Sequence, residues 1–282
     1  MVTTVVDWIL TERCNLNCYY CLQNADTRKV ECTPVYFSFI DKVNEPVLFH
    51  LTGGEPFLVP EIHALCNRLE QKGHYISMNT NLTLPVERFI EQVSPDKFLF
   101  INASVHYPYR KQHMEPFMRH YRKLREAGFF VYSTVVMIPG KFEEITEFIK
   151  EYQNHGIILL PKLMRGTEQG QRYPESYDDR QNRIMKELVD SAIEKMSPDE
   201  RDKFRIACEN NVSIDNWWNF DTKGIKGTRC FDGSRYIRIT ENGDIIYCDG
   251  KRLGNIRTTG LVTLPVSQTC EHACNGLCSK NI

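Results

Sequence analysis

Hydrophobic segments of strand length alternate with amphipathic segments of helical length from the start of the chain to about residue 163. The strand-length segments are rich in β-branched and aromatic residues and carry few charges, as strands buried on both faces do. The six strand candidates are Val5–Leu10, Val47–Leu51, Tyr75–Asn79, Phe98–Ser104, Phe129–Met137 and Ile157–Leu160. The helix candidates between them include Glu61–Gln71, Glu115–Ala127 and Glu143–Gln153. This alternation predicts an α/β domain with a parallel sheet.

The pattern changes in the second half of the chain. The segment Tyr177–Cys208 is typical of helix, with a break near Ser197-Pro198, where serine can cap a new helix. Residues 234–248 alternate in hydrophobicity around Asn242-Gly243, which predicts a β-hairpin. Because Asn, Asp, Trp and Gly become frequent after residue 210, we expect a large domain at 1–210 and a small cysteine-rich domain at 211–282.

Composition and charge narrow the class of protein. Hydrophobic residues make up 41% of the chain and charged residues 25%, which is ordinary for a globular protein. The formal net charge is −1, so no positive field favours a nucleic-acid partner. The apolar segment Phe129–Ile138 is too short to span a bilayer, and the amino terminus lacks the features of a signal peptide. We therefore expect a cytoplasmic protein with no membrane partner.

Eleven cysteines are the unusual feature of the composition. An odd number without a signal peptide argues against a disulfide framework, and clustered thiols in a reducing compartment usually bind metal. Cys14, Cys18 and Cys21 follow the first predicted strand closely. A complete protein-held iron–sulfur cluster takes four cysteines, so three cysteines would leave one iron open to another ligand. Structural zinc with a distant fourth ligand is the alternative.

The spacing Cys14-x3-Cys18-x2-Cys21, with Tyr20 before the last cysteine, resembles the signature of the radical S-adenosylmethionine (radical SAM) superfamily. Thr52-Gly53-Gly54-Glu55-Pro56, at the end of the second predicted strand, is similar to that family's GGEP element. Three further elements follow the third to fifth strands in the family's order: Asn79-Thr80-Asn81, Asn102-Ala103-Ser104-Val105-His106 and Ile138–Glu143. The resemblance covers roughly residues 5–165.

The resemblance implies a partial (β/α)6 barrel with a [4Fe–4S] cluster at the carboxyl ends of the strands. In such proteins S-adenosylmethionine chelates the open iron through its amino and carboxylate groups. An electron from the cluster then cleaves the C5′–S bond, which gives methionine and a 5′-deoxyadenosyl radical that abstracts hydrogen from the substrate. An external electron donor such as flavodoxin or ferredoxin is implied as well.

The glycines and the acid of the GGEP element become candidates for binding S-adenosylmethionine. Gly53 and Gly54 leave the strand edge bare, so that backbone carbonyls can approach an ammonium group. Glu55 would lie beside that cation, with a surface acid as the alternative.

Polar and aromatic residues of the other elements are further candidates for binding this cofactor. Asn79, Asn81 and Ser104 offer amide and hydroxyl groups suited to ribose or carboxylate, although ordinary capping at strand ends would use the same residues. Tyr20 would stack on adenine or pack the loop. Ile138 would pack near adenine or fill the core.

Five further cysteines cluster near the carboxyl end: Cys230, Cys248, Cys270, Cys274 and Cys278. The spacing Cys230-x12-Gly243-x4-Cys248 is similar to the start of the twitch and SPASM extensions of radical SAM proteins, which hold auxiliary [4Fe–4S] clusters. Two complete clusters would need about eight thiolates. A twitch-like domain with one auxiliary [4Fe–4S] cluster is therefore expected, which leaves one of the five over. Structural zinc is the alternative.

Cys208, His106 and Arg165 are the candidates for roles in catalysis. Cys208 is either a small buried side chain or a hydrogen donor to a substrate radical, as epimerising family members require. His106 follows the fourth strand and would point toward the site, with a structural role as the alternative. Arg165 follows the sixth strand, where it could meet a carboxylate of substrate or cofactor.

Two classes of reaction compete within the enzyme interpretation. The short extension resembles the twitch-bearing dehydrogenase of aminocyclitol antibiotic biosynthesis, which predicts oxidation of a sugar, polyol or aminocyclitol with the auxiliary cluster as electron acceptor. Peptide maturation, by crosslinking or thioether formation, or epimerisation is the alternative. Many maturases carry a leader-binding domain before the barrel, whereas the first strand here begins within ten residues. A small-molecule substrate is therefore favoured over a peptide. An iron–sulfur electron carrier is the non-enzyme alternative, and it is disfavoured because such a protein has no use for the GGEP element.

Overall fold

The computed structural model describes residues 4–21, 34–209, 229–230, 233–247, 250–263 and 268–269, with the backbone alone for 206–209, 229–230 and 268–269. The strands are β1 (Val5–Thr11), β2 (Leu48–Gly53), β3 (Tyr75–Thr80), β4 (Phe98–Val105), β5 (Val131–Met137), β6 (Leu159–Leu163), β7 (Gly166–Glu168), β8 (Gln171–Tyr173), β9 (Arg229–Cys230), β10 (Tyr236–Ile239), β11 (Asp244–Tyr247), β12 (Lys251–Asn255) and β13 (Gln268–Thr269). The helices are α1 (Pro34–Ile40), α2 (Ile62–Gln71), α3 (Glu87–Gln92), α4 (Arg110–Glu126), α5 (Phe142–Asn154), α6 (Asp179–Glu194) and α7 (Pro198–Glu209).

A nine-stranded sheet forms the centre of the fold, in the order β12-β11-β10-β1-β2-β3-β4-β5-β6. Strands β1 to β6 are parallel neighbours in sequence order, and one helix connects each to the next. The expected α/β fold with a mostly parallel sheet is confirmed, and this order is consistent with a partial barrel. Because all six strands run the same way, their carboxyl ends lie along one edge.

The sheet is buried because its strands are hydrophobic on both faces. Trp8 of β1 is fully buried, and Phe39 of α1 and Phe49 of β2 pack around it. Helix α2 buries Leu65 and Leu69, which are four residues apart on one face. No helix in the described ranges is both long and apolar enough to cross a membrane.

The predicted segments match the observed elements except at one helix start. The six strand candidates correspond to β1 to β6, and the helical segment after Tyr177 divides into α6 and α7 at Ser197. There the Ser197 hydroxyl accepts from Glu200 N–H, while the Glu200 carboxylate accepts from Ser197 N–H. Helix α4 begins at Arg110 rather than Glu115, because Pro116 lies inside the helix instead of marking its first turn.

The predicted hairpin is confirmed and lies within the large sheet. Strands β10 and β11 are antiparallel, and Gly243 adopts a φ of 81° in the turn between them. Strand β10 also pairs in parallel with β1, which joins the hairpin to the first strand of the α/β fold. The expected domain boundary at residue 210 lies outside the described residues, as do Cys248, Cys270, Cys274 and Cys278.

Candidate active site

The three clustered cysteines lie on the segment that follows β1, at the carboxyl edge of the sheet. Cys14 and Cys18 are partly buried, whereas Cys21 is exposed. Leu16 N–H donates to Cys14 Sγ (3.4 Å) and Cys21 N–H donates to Cys18 O (3.0 Å), so local hydrogen bonds shape the segment. Burial raises the pKa of the Cys14 thiol, and it raises that of Cys18 to about 11. Iron would therefore have to displace protons from these thiols.

The three thiols are grouped as an iron–sulfur cluster would need them. All three cysteines line one cavity. Each thiolate of a cluster binds a different iron, so three cysteines on one segment can bind three irons. The donor set therefore fits three irons of a [4Fe–4S] cluster and leaves the fourth open.

Gly53 and Gly54 allow the cysteine segment to lie directly against the end of β2. Gly54 N–H donates to Thr11 O at 2.6 Å. A Cβ on Gly53 would lie 2.2 Å from Thr11 O, and one on Gly54 would lie 2.1 Å from Arg13 O. Only glycine is compatible with contacts this close. The structure thus shows a packing reason for both glycines beside their expected contact with a cofactor.

Glu55 connects three segments of this edge from a fully buried position. Its Oε1 accepts from Phe57 N–H (3.0 Å) and from the Thr80 hydroxyl (2.7 Å), and its Oε2 accepts from Asn81 N–H (2.7 Å). Burial raises the pKa of Glu55 to about 7, although the three hydrogen bonds act in the opposite direction. The carboxylate therefore holds the end of β3 against the end of β2.

A cavity of about 280 Å³ opens where the cysteine segment crosses the carboxyl ends of the strands. This volume is just below the range for small-molecule sites, roughly 300–1,000 Å³. One wall is the face of the sheet that carries Thr52, Asn79, Ser104, Thr134 and Lys162, which we call the inner face. Val136, Leu163 and Met164 add an apolar part.

A chain of hydrogen bonds runs across the inner face beneath the cavity. Thr134 donates to Asn102 Oδ1 (3.0 Å), and Asn102 Nδ2 donates to Asn79 Oδ1 (2.9 Å). Asn79 Nδ2 then meets His50 Nε2 (2.9 Å), and His50 Nδ1 meets Ser77 Oγ (2.9 Å). Since the amide can only donate to Nε2, the His50 proton is on Nδ1 and all four bonds point the same way. Bonds aligned in this way reinforce one another.

His106 and Tyr20 lie together against the cysteine segment. The two rings stack with an angle of 12° between their planes. His106 Nδ1 is 3.1 Å from Cys18 Sγ and 3.2 Å from the Tyr20 hydroxyl oxygen. Burial lowers the pKa of His106 to about 4, with Lys162 and His113 acting in the same direction. The imidazole is therefore neutral near pH 7.

The structure brings together most of the residues that the sequence singles out. Seven line the cavity with the three cysteines: Tyr20, Gly53, Gly54, Asn79, Ser104, His106 and Arg165. Three others are buried and do not line it: Glu55, Asn81 and Ile138. Asn81 donates to Asn15 Oδ1 (2.8 Å) and lies 3.7 Å from Cys14 Sγ. The side chains of Cys208 and Cys230 lie outside the described residues.

Thr134 and Lys162 line the cavity but were not singled out by the sequence analysis. Thr134 lies inside the predicted strand Phe129–Met137, and Lys162 lies two residues beyond the predicted strand Ile157–Leu160, where polar residues are normally assigned to solvent. Their positions pair in register with cavity-lining neighbours, Thr134 with Ser104 and Lys162 with Val136. Side chains alternate between the two faces of a strand. Counting every second residue along β5 and β6 from the position that pairs with Ser104 would therefore have placed Thr134 and Lys162 on the inner face.

Comparisons with known proteins agree with this geometry. The sequence model of the Radical SAM superfamily matches residues 8–152. The AdoMet-dependent heme synthase of Methanosarcina barkeri is 25% identical over 284 residues, which cover 90% of this chain and 79% of that protein. The solved structure of native anSMEcpe with bound AdoMet and Cp18Cys peptide matches 91% of this chain and 78% of its own, at 19% identity and a TM-score of 0.62. Streptococcus suis SuiB bound to precursor peptide SuiA matches 92% of this chain and 64% of its own, at 16% identity and a TM-score of 0.63.

The two solved structures support the fold, and the family match supports membership. The matched residues contain the three cysteines, the GGEP element and the inner-face residues of β2 to β5, and they make up more than half of the chain. Membership implies a [4Fe–4S] cluster and S-adenosylmethionine as cofactors, which the cavity and its three thiols fit. On these grounds the chain belongs to the radical SAM superfamily.

Proposed function

We propose that this chain takes hydrogen from a small polar molecule held in the cavity and oxidises it, while an auxiliary cluster accepts the second electron. The main observation behind the proposal is that one cavity contains two sets of residues. The three thiols suited to a cluster line it together with the polar residues Asn79, Ser104 and Thr134. A radical formed at such a site would meet a substrate bound by hydroxyl and amide groups. The apolar part of the wall would limit the access of water.

The proposed reaction balances as a two-electron oxidation. When bound, the cluster and S-adenosylmethionine would supply a 5′-deoxyadenosyl radical, using one electron from an external donor. The substrate carbon gives one hydrogen atom to that radical. The hydroxyl group on the resulting carbon radical then loses its proton to solvent, and the radical passes one electron to the auxiliary cluster. A carbinol thereby becomes a carbonyl, and the product is two hydrogens lighter than the substrate.

The proposed auxiliary site rests on the cysteines of the carboxyl-terminal segment. Strand β9 pairs with β13, so that the backbone of Cys230 lies opposite Gln268, two residues before Cys270. Strand β10 begins six residues after Cys230 and β11 ends immediately before Cys248. Three of the five candidate cysteines thus lie in a described strand or directly after one in the sequence, which supports a shared ligand set.

Peptide modification is the second candidate function. The solved structures of anSMEcpe and SuiB were obtained with peptides bound, and both have this fold. Cys21 lines the cavity and is exposed to solvent, so an extended chain could reach the cavity beside it. Crosslinking would also remove two hydrogens, whereas epimerisation would return one hydrogen from a donor such as Cys208.

Isotope transfer separates these outcomes. The anaerobically reconstituted protein should convert S-adenosylmethionine to 5′-deoxyadenosine when reduced, and Cys18→Ala should abolish this because it removes a cluster ligand. Cys66→Ala is the matched control, since Cys66 is buried in α2 away from the cavity. With sugars, polyols and aminocyclitols deuterated at the reacting carbon, deuterium should appear in 5′-deoxyadenosine, and the product should lose two hydrogens.

The same assay in heavy water distinguishes an epimerase from a dehydrogenase. An epimerase product gains one deuterium at the inverted carbon, whereas an oxidised product gains none at the reacting carbon. Cys230→Ala and Cys248→Ala should still form 5′-deoxyadenosine while losing product. Normal product from both variants would show that the auxiliary site takes no part in the oxidation. Product from peptides alone would favour the second candidate.

A further inference from the structure

Lys162 places a positive charge on the inner face without a carboxylate to balance it. The residue lies on β6, pairs in register with Val136 and lines the cavity. Across the described part of the chain, including the lining residue Glu12, no carboxylate oxygen lies within 4.0 Å of its ammonium group. A partly buried lysine without a partner is costly, because its charge is only partly hydrated.

The groups around Lys162 do not neutralise it. The two imidazoles that face its ammonium, those of His50 and His106, are either neutral or positively charged, so neither can balance it. Asp7, which pairs in register with His50 on the next strand, is held by Tyr236 at 2.9 Å and by Arg238 at 3.2 Å.

The hydroxyl beside Lys162 adds a second requirement on the ligand. Thr134 lies two residues before Val136, the register partner of Lys162. Its hydrogen is donated to Asn102, so toward the cavity the Thr134 oxygen can only accept. A ligand that satisfies both groups therefore presents an anionic oxygen to Lys162 and a hydroxyl or amine hydrogen to Thr134.

We propose that Lys162 binds a carboxylate of the substrate, so that the substrate is an organic acid that also carries a hydrogen-bond donor. This inference deepens the proposed function, because it assumes a substrate in the same cavity. S-adenosylmethionine has one carboxylate, which the family resemblance commits to the open iron, so that group is the competing source of an anion. The lysine then acts as a specificity determinant, since a neutral analogue would leave its charge unpaired.

The test compares an acid with its neutral counterpart. Malate and malamide, which match in size, share one hydroxyl donor and differ in charge, would be titrated by calorimetry into reconstituted protein with S-adenosylmethionine and no reductant. Malate should bind the wild type at least about tenfold more tightly than malamide does, because a charge-assisted hydrogen bond distinguishes the two. Lys162→Met should remove this preference, whereas Lys162→Arg should keep it.

Two controls assign the effect to this lysine. Lys111→Met removes an exposed lysine from α4 and should leave malate binding unchanged. The affinity for S-adenosylmethionine should also be unchanged in Lys162→Met; a loss there as large as the loss for malate would assign the lysine to the cofactor and overturn the proposal. Lys162→Gln replaces the methionine variant if that one does not fold. Equal malate binding by wild type and variant would overturn the proposal as well. These titrations need no turnover, so absence of 5′-deoxyadenosine on reduction would count against the proposed function alone.

Discussion

His50 is a buried histidine whose two ring nitrogens are both engaged in the hydrogen-bond chain of the inner face. Burial lowers its pKa from 6.5 to about 4, and Lys162 acts in the same direction. As the pH falls below 6.5, the unfolded chain takes up a proton at this position before the folded protein does. The folded state therefore loses stability between about pH 6.5 and 4, and the loss is complete once both states are protonated.

We predict that His50→Gln flattens the acid limb of the stability profile. Lowering the pKa of His50 by this amount changes the free energy of unfolding by up to about 3 kcal/mol across that pH window. Urea unfolding at half-unit steps from pH 7.5 to 4 would measure the slope for both proteins. His155→Gln, which removes an exposed histidine at the end of α5, is the control and should retain the wild-type slope. Parallel profiles for wild type and His50→Gln would contradict the assignment.

The residues of the site divide into those that sequence predicts and those that need the fold. Cys14, Cys18 and Cys21 were predicted from spacing alone, because their chemistry depends on a short local segment. Glu55 was expected beside a bound cation, yet its three donors come partly from β3, 25 residues away in sequence. Such long-range contacts leave no local signal. Lys162 was missed for the same reason, since its face is fixed only by register with β5.

At the scale of elements, the end of β2 and the segment after β1 form one unit. Gly54 N–H donates to Thr11 O and Glu55 N–H donates to Arg13 O at 2.8 Å, so the ladder between the two strands continues past their ends. The first cysteine follows Arg13 directly. A displacement of Arg13 would thus be passed to the thiols.

We predict that Gly54→Ala impairs cluster binding more than overall stability. The added Cβ would lie 2.1 Å from Arg13 O, which forces the cysteine segment away from β2. After reconstitution, iron bound at the three cysteines should fall to less than about half of the wild-type amount, since a site misplaced by 1 Å is loose. Gly156→Ala is the matched control, because that glycine has a φ of 78° but open space around its Cβ. Gly156→Ala should lower the free energy of unfolding by about 1 kcal/mol and leave the amount of bound iron unchanged. Wild-type iron content in Gly54→Ala would contradict the prediction.

Secondary-structure elements were predicted correctly where the hydrophobic pattern was clear, and they were missed or misplaced where it was not. Strands β1 to β6 were predicted because each is a short apolar run. The small strands β7 and β8 are mostly exposed, and β12 has no buried residue, so only their pairing identifies them. Helix α4 was placed five residues late because tertiary packing tolerates Pro116 within it.

At the scale of the whole molecule, the joint between β1 and β10 connects distant parts of the chain. Tyr236 and Arg238 on β10 both contact Asp7 on β1, across more than 220 residues of sequence. The Asp7 and Arg238 side chains are 14% and 30% exposed, so their attraction is only partly screened. Strand β1 leads directly to the three cysteines, and β10 opens the hairpin that ends before Cys248. The strand that leads to the first three cysteines and the hairpin that leads to Cys248 therefore share one sheet.

We predict that Asp7→Asn and Arg238→Met each loosen this joint and that their effects are not additive. Each should cost about 2 kcal/mol of unfolding free energy, less than a fully buried pair because water reaches both side chains. In a double-mutant cycle the coupling should be at least about 1 kcal/mol. Hydrogen exchange should accelerate in β10 and β11, while Arg252→Met, which breaks the more exposed pair with Asp244, should leave β10 protected. Additive losses, or unchanged exchange in β10, would mean that backbone pairing alone holds the hairpin to β1.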